Sequence, residues 1–220
     1  MNYFHRQIQL WGEETQANLA SKSIAIIGSG GLGSSLGYAL GSSGIGEIHI
    51  VDFDEVSVHN IHRQILFDIG DEGKFKAEIF KSRLERRYDG VKITVHACKF
   101  DEFATKGLKF DLIIDATDNL KTRAQINEYA KSLGVPWLYG SVESFHGQVC
   151  LFDKASLTSA FAVSDIKPAG IAAPIVMFIA SFQANLALRY LAGLSVQKDL
   201  LYYLDMSSGE LNLRKFKLPK

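Results

Sequence analysis

Three groups of residues along this chain have the types and spacing that phosphate chemistry needs, and the first is rich in glycine. Gly28, Gly30, Gly31 and Gly33 fall within six residues, after a short apolar run and before a helical pattern. Glycines allow a tight turn and let backbone N–H groups approach a phosphate at the positive end of the helix. Asp52 ends the next apolar run, where a carboxylate can bind ribose hydroxyls. The arrangement predicts nucleotide binding without choosing the nucleotide. The alternative is a glycine-rich turn that only eases packing.

The second group is polar and cationic: it contains Asp54, Asn60, Arg63, Gln64 and Lys76, the last at the start of a helical pattern. A redox dinucleotide presents a pyrophosphate that the glycine turn already satisfies, whereas a triphosphate needs further cations. Arg63 offers a planar fork of donors and Lys76 a compact charge, and together they can neutralise charge as pyrophosphate departs. From the residue types alone, a solvated loop with ordinary surface cations is an equally good interpretation.

The third group, residues 115–119, directly follows an apolar strand pattern. The group contains two aspartates, Asp115 and Asp118, and an aspartate at the carboxyl end of a strand is a suitable ligand for a Mg²⁺ ion that bridges phosphate oxygens. Asn119, beside Asp118, completes the predicted nucleotide-binding residues. In the alternative interpretation, Asp118 or Asn119 caps the helix that follows.

The elements that position these groups alternate between short β-branched runs and longer helical patterns. We expect strands at 23–28, 47–52, 91–96, 111–115, 137–142 and 147–152, and a hairpin at 200–206 and 210–216. We expect helices at 32–43, 74–88, 119–133 and 171–192. The fold class is therefore α/β: a Rossmann-like doubly wound sheet with a parallel N-terminal half and mixed or antiparallel C-terminal strands. Ligands of such sheets lie at the carboxyl ends of the strands, so the three groups should meet in one crevice.

The length and composition fit a single domain, because 220 residues that are 47% hydrophobic can bury a sizeable core. We divide this domain, 1–220, into an N-terminal helical arm (1–20), a nucleotide-binding half (21–135) and a C-terminal part (136–220). The C-terminal part holds strands, a long helix and the hairpin. No internal repeat or low-complexity linker separates the parts.

Charge and hydropathy exclude several classes of protein. Twenty-four basic side chains balance 24 acidic ones, which argues against a nucleic-acid partner. The most apolar stretch, 171–192, is interrupted by Gln183, Asn185 and Arg189, so we predict a buried helix and no membrane span. The first twenty residues lack a continuous apolar stretch, and we expect a cytoplasmic location.

The two cysteines, Cys98 and Cys150, are too few to build a four-thiolate zinc site by themselves. Cys150 falls within a strand pattern and Cys98 at the end of another. Cysteines in such positions are usually inert core thiols.

Together, these residues resemble the MoeB/ThiF/HesA family of adenylating enzymes, which are relatives of the ubiquitin-activating enzymes. The positions that match the family's motifs are Gly31, Asp52, Asn60, Arg63, Lys76, Asp118 and Asn119. The opening Phe4-His5-Arg6-Gln7-Ile8 is similar to the family's tyrosine-x-arginine-glutamine-isoleucine start. The resemblance covers nearly the whole chain.

The resemblance implies ATP-dependent adenylation of a carboxylate. The substrate would be the C-terminal glycine of a ubiquitin-like sulfur-carrier protein ending in Gly-Gly, in thiamine or molybdopterin sulfur transfer, with release of pyrophosphate. The implied catalytic groups are Arg63, Lys76, Asp118 holding Mg²⁺, and Arg6. In this family the arginine at the position of Arg6 reaches the ATP of the partner subunit, so the resemblance also implies a homodimer.

The sequence departs from the family where many bacterial members carry two Cys-x-x-Cys pairs for a structural zinc. No cysteine follows Phe152, so we expect no zinc. A cysteine that some members place before an Ala-Gly-x-x-x-Pro stretch is also missing, and Ile166 stands nearby instead. This absence argues against a covalent sulfur step on the chain. His59 and His62 flank Asn60, but without a third ligand pattern their spacing does not predict a metal site.

A variant of the adenylation hypothesis is adenylation of a different carboxylate, such as a peptide terminus or a modified tRNA base, but no added recognition domain favours it. Two other functions compete with adenylation. One is a nicotinamide-dependent oxidoreductase, because Tyr88 and Lys92 have the spacing of a hydride-transfer dyad, although Asp89 and Gly90 should break the helix that such a dyad needs. The other is a non-catalytic relative that binds the carrier without turnover.

Overall fold

A computed structural model describes residues 2–161 and 170–219 of the chain as alternating helices and strands. The strands are β1 (Ser23–Ile27), β2 (Glu47–Val51), β3 (Lys92–His96), β4 (Leu112–Asp115), β5 (Trp137–Glu143), β6 (His146–Phe152), β7 (Leu200–Asp205) and β8 (Asn212–Lys217). The helices are α1 (His5–Trp11), α2 (Glu13–Leu19), α3 (Gly31–Leu40), α4 (Lys76–Arg87), α5 (Phe100–Ala104), α6 (Leu120–Leu133), α7 (Leu157–Ala160) and α8 (Ala173–Leu191). Between β2 and α4 the chain forms two short 3-10 turns, Val58–Asn60 and Ile69–Asp71.

The strands form a single mixed sheet in the order β3-β2-β1-β4-β5-β6-β7-β8. The first five in this order pair in parallel, and β5 to β8 pair in antiparallel fashion. The predicted α/β fold class, parallel in its N-terminal half and antiparallel towards the C-terminus, is confirmed. Because β1 lies between β2 and β4, the strand order reverses there, and the carboxyl ends of these three strands border the crevice that such folds use for ligands.

Both faces of β1, β2 and β4 are buried, which explains their nearly continuous apolar sequences. In β1, Ile24 and Ile26 pack into one core with α3, α4 and α8, while Ala25 and Ile27 pack into a second core with α5 and α6. The helices that flank the crevice are therefore fixed by burial on both sides of the same strands.

Helix α8 is long and apolar enough to cross a membrane by length and composition, but half of it is buried within the protein. It packs against α3, β5 and β6. Its Gln183 side chain lies where a Cβ on Gly140 of β5 would otherwise be, and its Nε2 donates to the carbonyl of Asp115 (2.9 Å). These contacts are those of a core helix, as the polar interruptions predict. Ile166, named above as replacing a family cysteine, lies outside the described residues.

A buried ion pair joins the end of β4 to α6. Nε of Arg123 lies 3.0 Å from Oδ2 of Asp115, and both side chains are buried, the carboxylate completely. Arg123 also donates to the carbonyls of Thr117 (2.7 Å) and Gly140 (3.1 Å) and to Oγ of Ser141 (3.2 Å). Burial raises the pKa of Asp115, and the adjacent guanidinium opposes that rise. One arginine thus connects β4, β5, α6 and the turn that leads to Asp118.

A second buried polar pair, His49 and His96, lies on the face of the sheet that packs against α5. Nδ1 of His49 is 2.9 Å from Nε2 of His96, and Phe103 and Phe110 pack edge-on against the two rings. Burial lowers the pKa of both histidines, that of His96 to about 4. The folded protein therefore holds this pair neutral.

Replacing Arg123 with methionine leaves the Asp115 carboxylate buried without its counter-charge. We expect the free energy of unfolding to fall by about 3–5 kcal/mol, the usual cost of breaking a buried pair from one side. Urea unfolding followed by circular dichroism measures it. Lys121→Met, at an exposed position of the same helix, is the control. Equal losses in the two variants would contradict the role given to the pair.

The histidine pair predicts that the free energy of unfolding decreases as the pH falls from about 6.5 towards 4. An unfolded imidazole binds a proton at about pH 6.5, whereas His96 in the fold stays neutral to about pH 4. The unfolded state therefore binds more protons in this window, and the stability present above it is lost as the pH falls. Urea unfolding over this pH range should show a smaller decrease for His96→Phe. His5→Phe, at an exposed position, should keep the wild-type decrease; the prediction is wrong if His96→Phe does so too.

Candidate active site

The glycine turn after β1 packs directly against the turn after β4. Gly28 has φ +99°, and a Cβ there would lie 2.7 Å from the carbonyl oxygen of Ala116. A Cβ on Gly33 would collide with the carbonyl of Gly28. A side chain at position 28 would push the two turns apart, and one at position 33 would distort the glycine turn itself, so packing requires glycine at both positions. The predicted convergence of the first and third groups is therefore confirmed.

Helix α3 begins at this glycine turn and is not capped by a side chain. Gly30 occupies the N-cap position, and the first helical hydrogen bond runs from the N–H of Ser34 to the carbonyl of Gly30. The N–H groups of the first turn lack partners within the helix and lie at the positive end of its dipole. This end of α3 is suited to hold the phosphates of a nucleotide.

Asp52 holds the glycine turn from the end of β2. Its Oδ2 accepts hydrogen bonds from the backbone N–H (2.6 Å) and the hydroxyl (2.8 Å) of Ser29, and its Oδ1 accepts from the N–H of Asp54 (2.8 Å). The carboxylate is therefore already engaged in positioning the turn. Each oxygen has two acceptor sites, so Oδ1 retains one for a ribose hydroxyl. The predicted ribose contact stays a prediction.

Lys76 and Asp54 form an ion pair beside Asp52. Nζ of Lys76 is 3.0 Å from Oδ2 of Asp54, and the lysine side chain is only 5% exposed while that of the aspartate is 52% exposed. The backbone N–H of Lys76 donates to the carbonyl of Asp54 (2.9 Å), which fixes the start of α4 next to the end of β2. The predicted cation is thus buried at the crevice, and its partner faces solvent.

Arg63 and Gln64 lie against the glycine turn, and Asn60 contacts Arg63. Nη2 of Arg63 donates to Oδ1 of Asn60 (3.0 Å), and Nη1 lies 2.8 Å from Nε2 of His62. A Cβ on Gly31 would lie 3.8 Å from Cγ of Arg63. A Cβ on Gly30 would lie 3.5 Å from Nε2 of the buried Gln64. The second predicted group therefore lies next to the first.

Asp118 and Asn119 have different roles in the structure. Oδ1 of Asn119 accepts from the N–H of Thr122 (2.8 Å) and caps α6, so for Asn119 the capping interpretation is correct. Asp118 is exposed, and no other residue that the structure describes hydrogen-bonds to its carboxylate. Mg²⁺ at phosphate sites usually takes one or two carboxylates and completes its shell with phosphate oxygens and water. A single free carboxylate beside the phosphate turn fits that pattern.

Within the described part of the chain, no three His, Cys, Asp or Glu side chains are grouped to hold a metal by themselves. The expected absence of zinc stays a prediction. Cys98 and Cys150 are free and buried, and burial raises the pKa of both thiols. Both thiols are therefore protonated at neutral pH, as expected of core cysteines.

Arg6 lies on α1, far from the glycine turn of its own chain. Nε2 of Gln7 donates to the carbonyl of Ser43 (2.8 Å), just beyond the C-terminal end of α3. Helix α3 has ten residues, so a rise of 1.5 Å per residue separates this anchor from the turn by about 15 Å. Arg6 itself is exposed and donates to Oε1 of Gln9 (3.2 Å). The structure brings the other predicted catalytic residues to the crevice but not Arg6.

Sequence reasoning missed Arg123, although a signal was present. The buried positions of α6 are Arg123, Ile126, Asn127 and Ala130, which follow the helical spacing of a single apolar face. A charged residue on such a face must be paired, and the nearest acid at the end of the preceding strand is Asp115.

The dyad of the oxidoreductase alternative does not form. Helix α4 ends at Arg87, Tyr88 is extended, and Lys92 begins β3, where its Nζ pairs with Glu47 (2.7 Å). Tyr88 stacks instead on Tyr3 of the N-terminal arm. The two side chains therefore share no helical face, as the intervening Asp89 and Gly90 predict.

Comparison with known proteins places this chain in a family. The ThiF family profile matches residues 4–220. The sulfur carrier protein adenylyltransferase of Thermus thermophilus is 31% identical, over 98% of this chain and 88% of the relative. The molybdopterin-synthase adenylyltransferase of Escherichia coli is 33% identical, over 86% of this chain and 82% of the relative.

Among solved structures, E. coli MccB with ATP matches the whole chain and 71% of its own length with a TM-score of 0.88. At 21% identity, this likeness shows the shared fold. Since the family profile covers nearly every residue and a relative 31% identical aligns over 98% of the sequence, the chain belongs to the ThiF family.

Proposed function

We propose that this protein uses ATP to adenylate the C-terminal glycine carboxylate of a ubiquitin-like sulfur-carrier protein, releasing pyrophosphate. Relatives named as adenylyltransferases of a sulfur carrier and of molybdopterin synthase support this substrate class. The observation that carries the proposal is the continuous series from the glycine turn through Asp52 and Asp54 to the buried Lys76. This series connects a buried cation to the turn that precedes the uncapped N-terminus of α3.

The chain's residues have distinct tasks in this reaction. The first turn of α3 holds phosphate oxygens through backbone N–H groups. Lys76 and Arg63 neutralise the charge that develops as pyrophosphate leaves. The carrier carboxylate is already ionised at neutral pH, so the attack on the α-phosphate needs no general base. Asp118 would hold Mg²⁺, which supplies further positive charge to the phosphates when bound.

We further propose that the active unit is a homodimer in which Arg6 serves the partner's site. The placement of Arg6 supports this, because the bond between Gln7 and Ser43 ties its helix to the end of α3 remote from its own phosphate turn. A second copy can bring this arginine to the crevice without disturbing that anchor.

We also propose that the protein acts in the cytoplasm, without a nucleic-acid or membrane partner. The two free cysteines suit the reducing cytoplasm, and the balanced charge requires no nucleic-acid or membrane partner. The carrier would belong to thiamine or molybdopterin sulfur transfer, in keeping with the names of the relatives.

Lys76→Ala should abolish most adenylation, measured as carrier-dependent exchange of pyrophosphate into ATP. We expect a decrease of about 10²–10³-fold, as when a preorganised electrostatic group is removed from a transition state. Lys81→Ala is the matched control, since Lys81 lies on the same helix and pairs only loosely with Glu85 (3.9 Å). Its activity should equal that of the wild type.

Two outcomes of this exchange assay contradict the proposal. Unchanged exchange in Lys76→Ala means that the assigned mechanism is wrong. Carrier binding without any exchange by the wild-type protein means that the chain is a non-catalytic relative.

Mixing two inactive variants tests whether Arg6 acts in trans. In a mixed dimer of Arg6→Ala and Lys76→Ala chains, one site has both an intact lysine and the partner's arginine. Random mixing should therefore restore about one quarter of the wild-type exchange activity. Each variant alone should stay inactive, and size-exclusion chromatography should show a dimer. No recovery on mixing dimeric variants would show that Arg6 does not serve a partner's site.

A further inference from the structure

The guanidinium of Arg63 is held on two sides by its own segment. Nη2 donates to Oδ1 of Asn60 at 3.0 Å, and Nη1 lies 2.8 Å from Nε2 of His62. The backbone N–H groups of Arg63 and Gln64 both donate to the carbonyl of Asn60, which fixes the turn that carries the arginine. Its Cγ lies beside Gly31, so the side chain leaves the turn next to the phosphate-binding end of α3.

The hydrogen bond between Arg63 and His62 determines which nitrogen of the imidazole ring carries the proton. A guanidinium has five N–H donors, has no acceptor and is not deprotonated in proteins. Nε2 of His62 must therefore accept the hydrogen bond, which requires a neutral ring with its proton on Nδ1. A protonated ring would have no acceptor and would repel Arg63.

We propose that His62 is a positioning residue for Arg63: its neutral Nε2 directs the arginine fork towards the phosphates of bound ATP. This inference rests on the proposed function, in which Arg63 contacts ATP. The two bonds use one hydrogen on each terminal nitrogen and leave three N–H groups for the ligand. Because the orientation is set before ATP binds, less rotamer freedom is lost as the transition state forms.

His59 provides a natural comparison within the same segment. Its Nδ1 lies 2.7 Å from Oγ of Ser57, and the structure shows no hydrogen bond between its ring and Arg63 in the described part of the chain. Both histidines are exposed, so replacing either removes little buried surface. A difference between variants at these two positions would therefore report on the contact with Arg63.

The first test compares His62→Leu, His62→Gln and His59→Leu in pyrophosphate exchange. We expect His62→Leu to lower kcat by about fivefold, the change that one net hydrogen bond of about 1 kcal/mol gives, with little change in KM for ATP. Glutamine places a neutral acceptor at a similar reach, so His62→Gln should restore most of the loss. His59→Leu should match the wild type.

A double-mutant cycle separates positioning from a direct role. In an Arg63→Ala background, His62→Leu should cause no further loss, because the side chain that it orients is gone. An equal loss in both backgrounds, or an equal loss in His62→Leu and His62→Gln, would overturn the proposal. Unchanged thermal midpoints in all variants would show that folding is not the cause.

The tautomer of His62 tests the contact without any activity measurement. Nitrogen-15 NMR of labelled histidine at about pH 8 should show the proton of His62 on Nδ1. The His62→Gln spectrum assigns the signal. A proton on Nε2 would overturn the inference even if exchange is normal. Absence of exchange in the wild type with the Nδ1 tautomer present would reject the proposed function and leave the contact with Arg63 supported.

Discussion

The geometry of the crevice at the carboxyl ends of β1, β2 and β4 depends on the buried ion pair between Asp115 and Arg123. The pair lies at the reversal of the strand order, and Arg123 extends it to the carbonyl of Thr117 and to the backbone of β5. A carboxylate with no exposed surface is tolerated because a full positive charge lies 3.0 Å away and the hydroxyl and N–H of Thr117 donate to its other oxygen. These contacts fix the position of the turn that leads to Asp118 relative to β4 and β5.

The glycine turn is fitted against that fixed turn. Ala116 belongs to the segment that Arg123 holds, and its carbonyl occupies the space that a side chain on Gly28 would need. Asp52 holds the same glycine turn by accepting two hydrogen bonds from Ser29. Two acids therefore determine where α3 starts. Asp115, at the end of β4, pairs with Arg123 and fixes the turn that Gly28 packs against. Asp52, at the end of β2, accepts hydrogen bonds from the backbone and hydroxyl of Ser29 in the glycine turn. The direction in which the helix presents its N–H groups follows from both.

Local patterns were enough to predict the strands, the glycine turn and the crevice, because burial on both faces and backbone conformation leave direct marks on the sequence. They were not enough where long-range contacts decide. The predicted helix 32–43 ends at Leu40, where Gly41 and the docked N-terminal arm replace further turns. The position of Arg6 depends on a hydrogen bond between Gln7 and Ser43, 36 residues apart, and no periodicity encodes such a contact. The pairing of Asp115 with Arg123 crosses from a strand to the buried face of a helix, so neither residue type shows by itself that the other is its partner.

Lys76 and Asp54 form an ion pair but differ in exposure to solvent, and this difference determines which of the two can be separated from its partner at small cost. The lysine side chain is 5% exposed, so leaving it unpaired would cost the desolvation of a full charge. The aspartate is about half exposed and regains water when released. In the proposed function, a phosphate oxygen that approaches Lys76 replaces an anion that returns to solvent at small cost, while the cation keeps a partner throughout. Each of the two predicted cations has a partner beside it in the structure: Asp54 for Lys76, and the side chains of Asn60 and His62 for Arg63. The proposed binding of ATP is then an exchange of anionic partners at Lys76 and needs no basic surface.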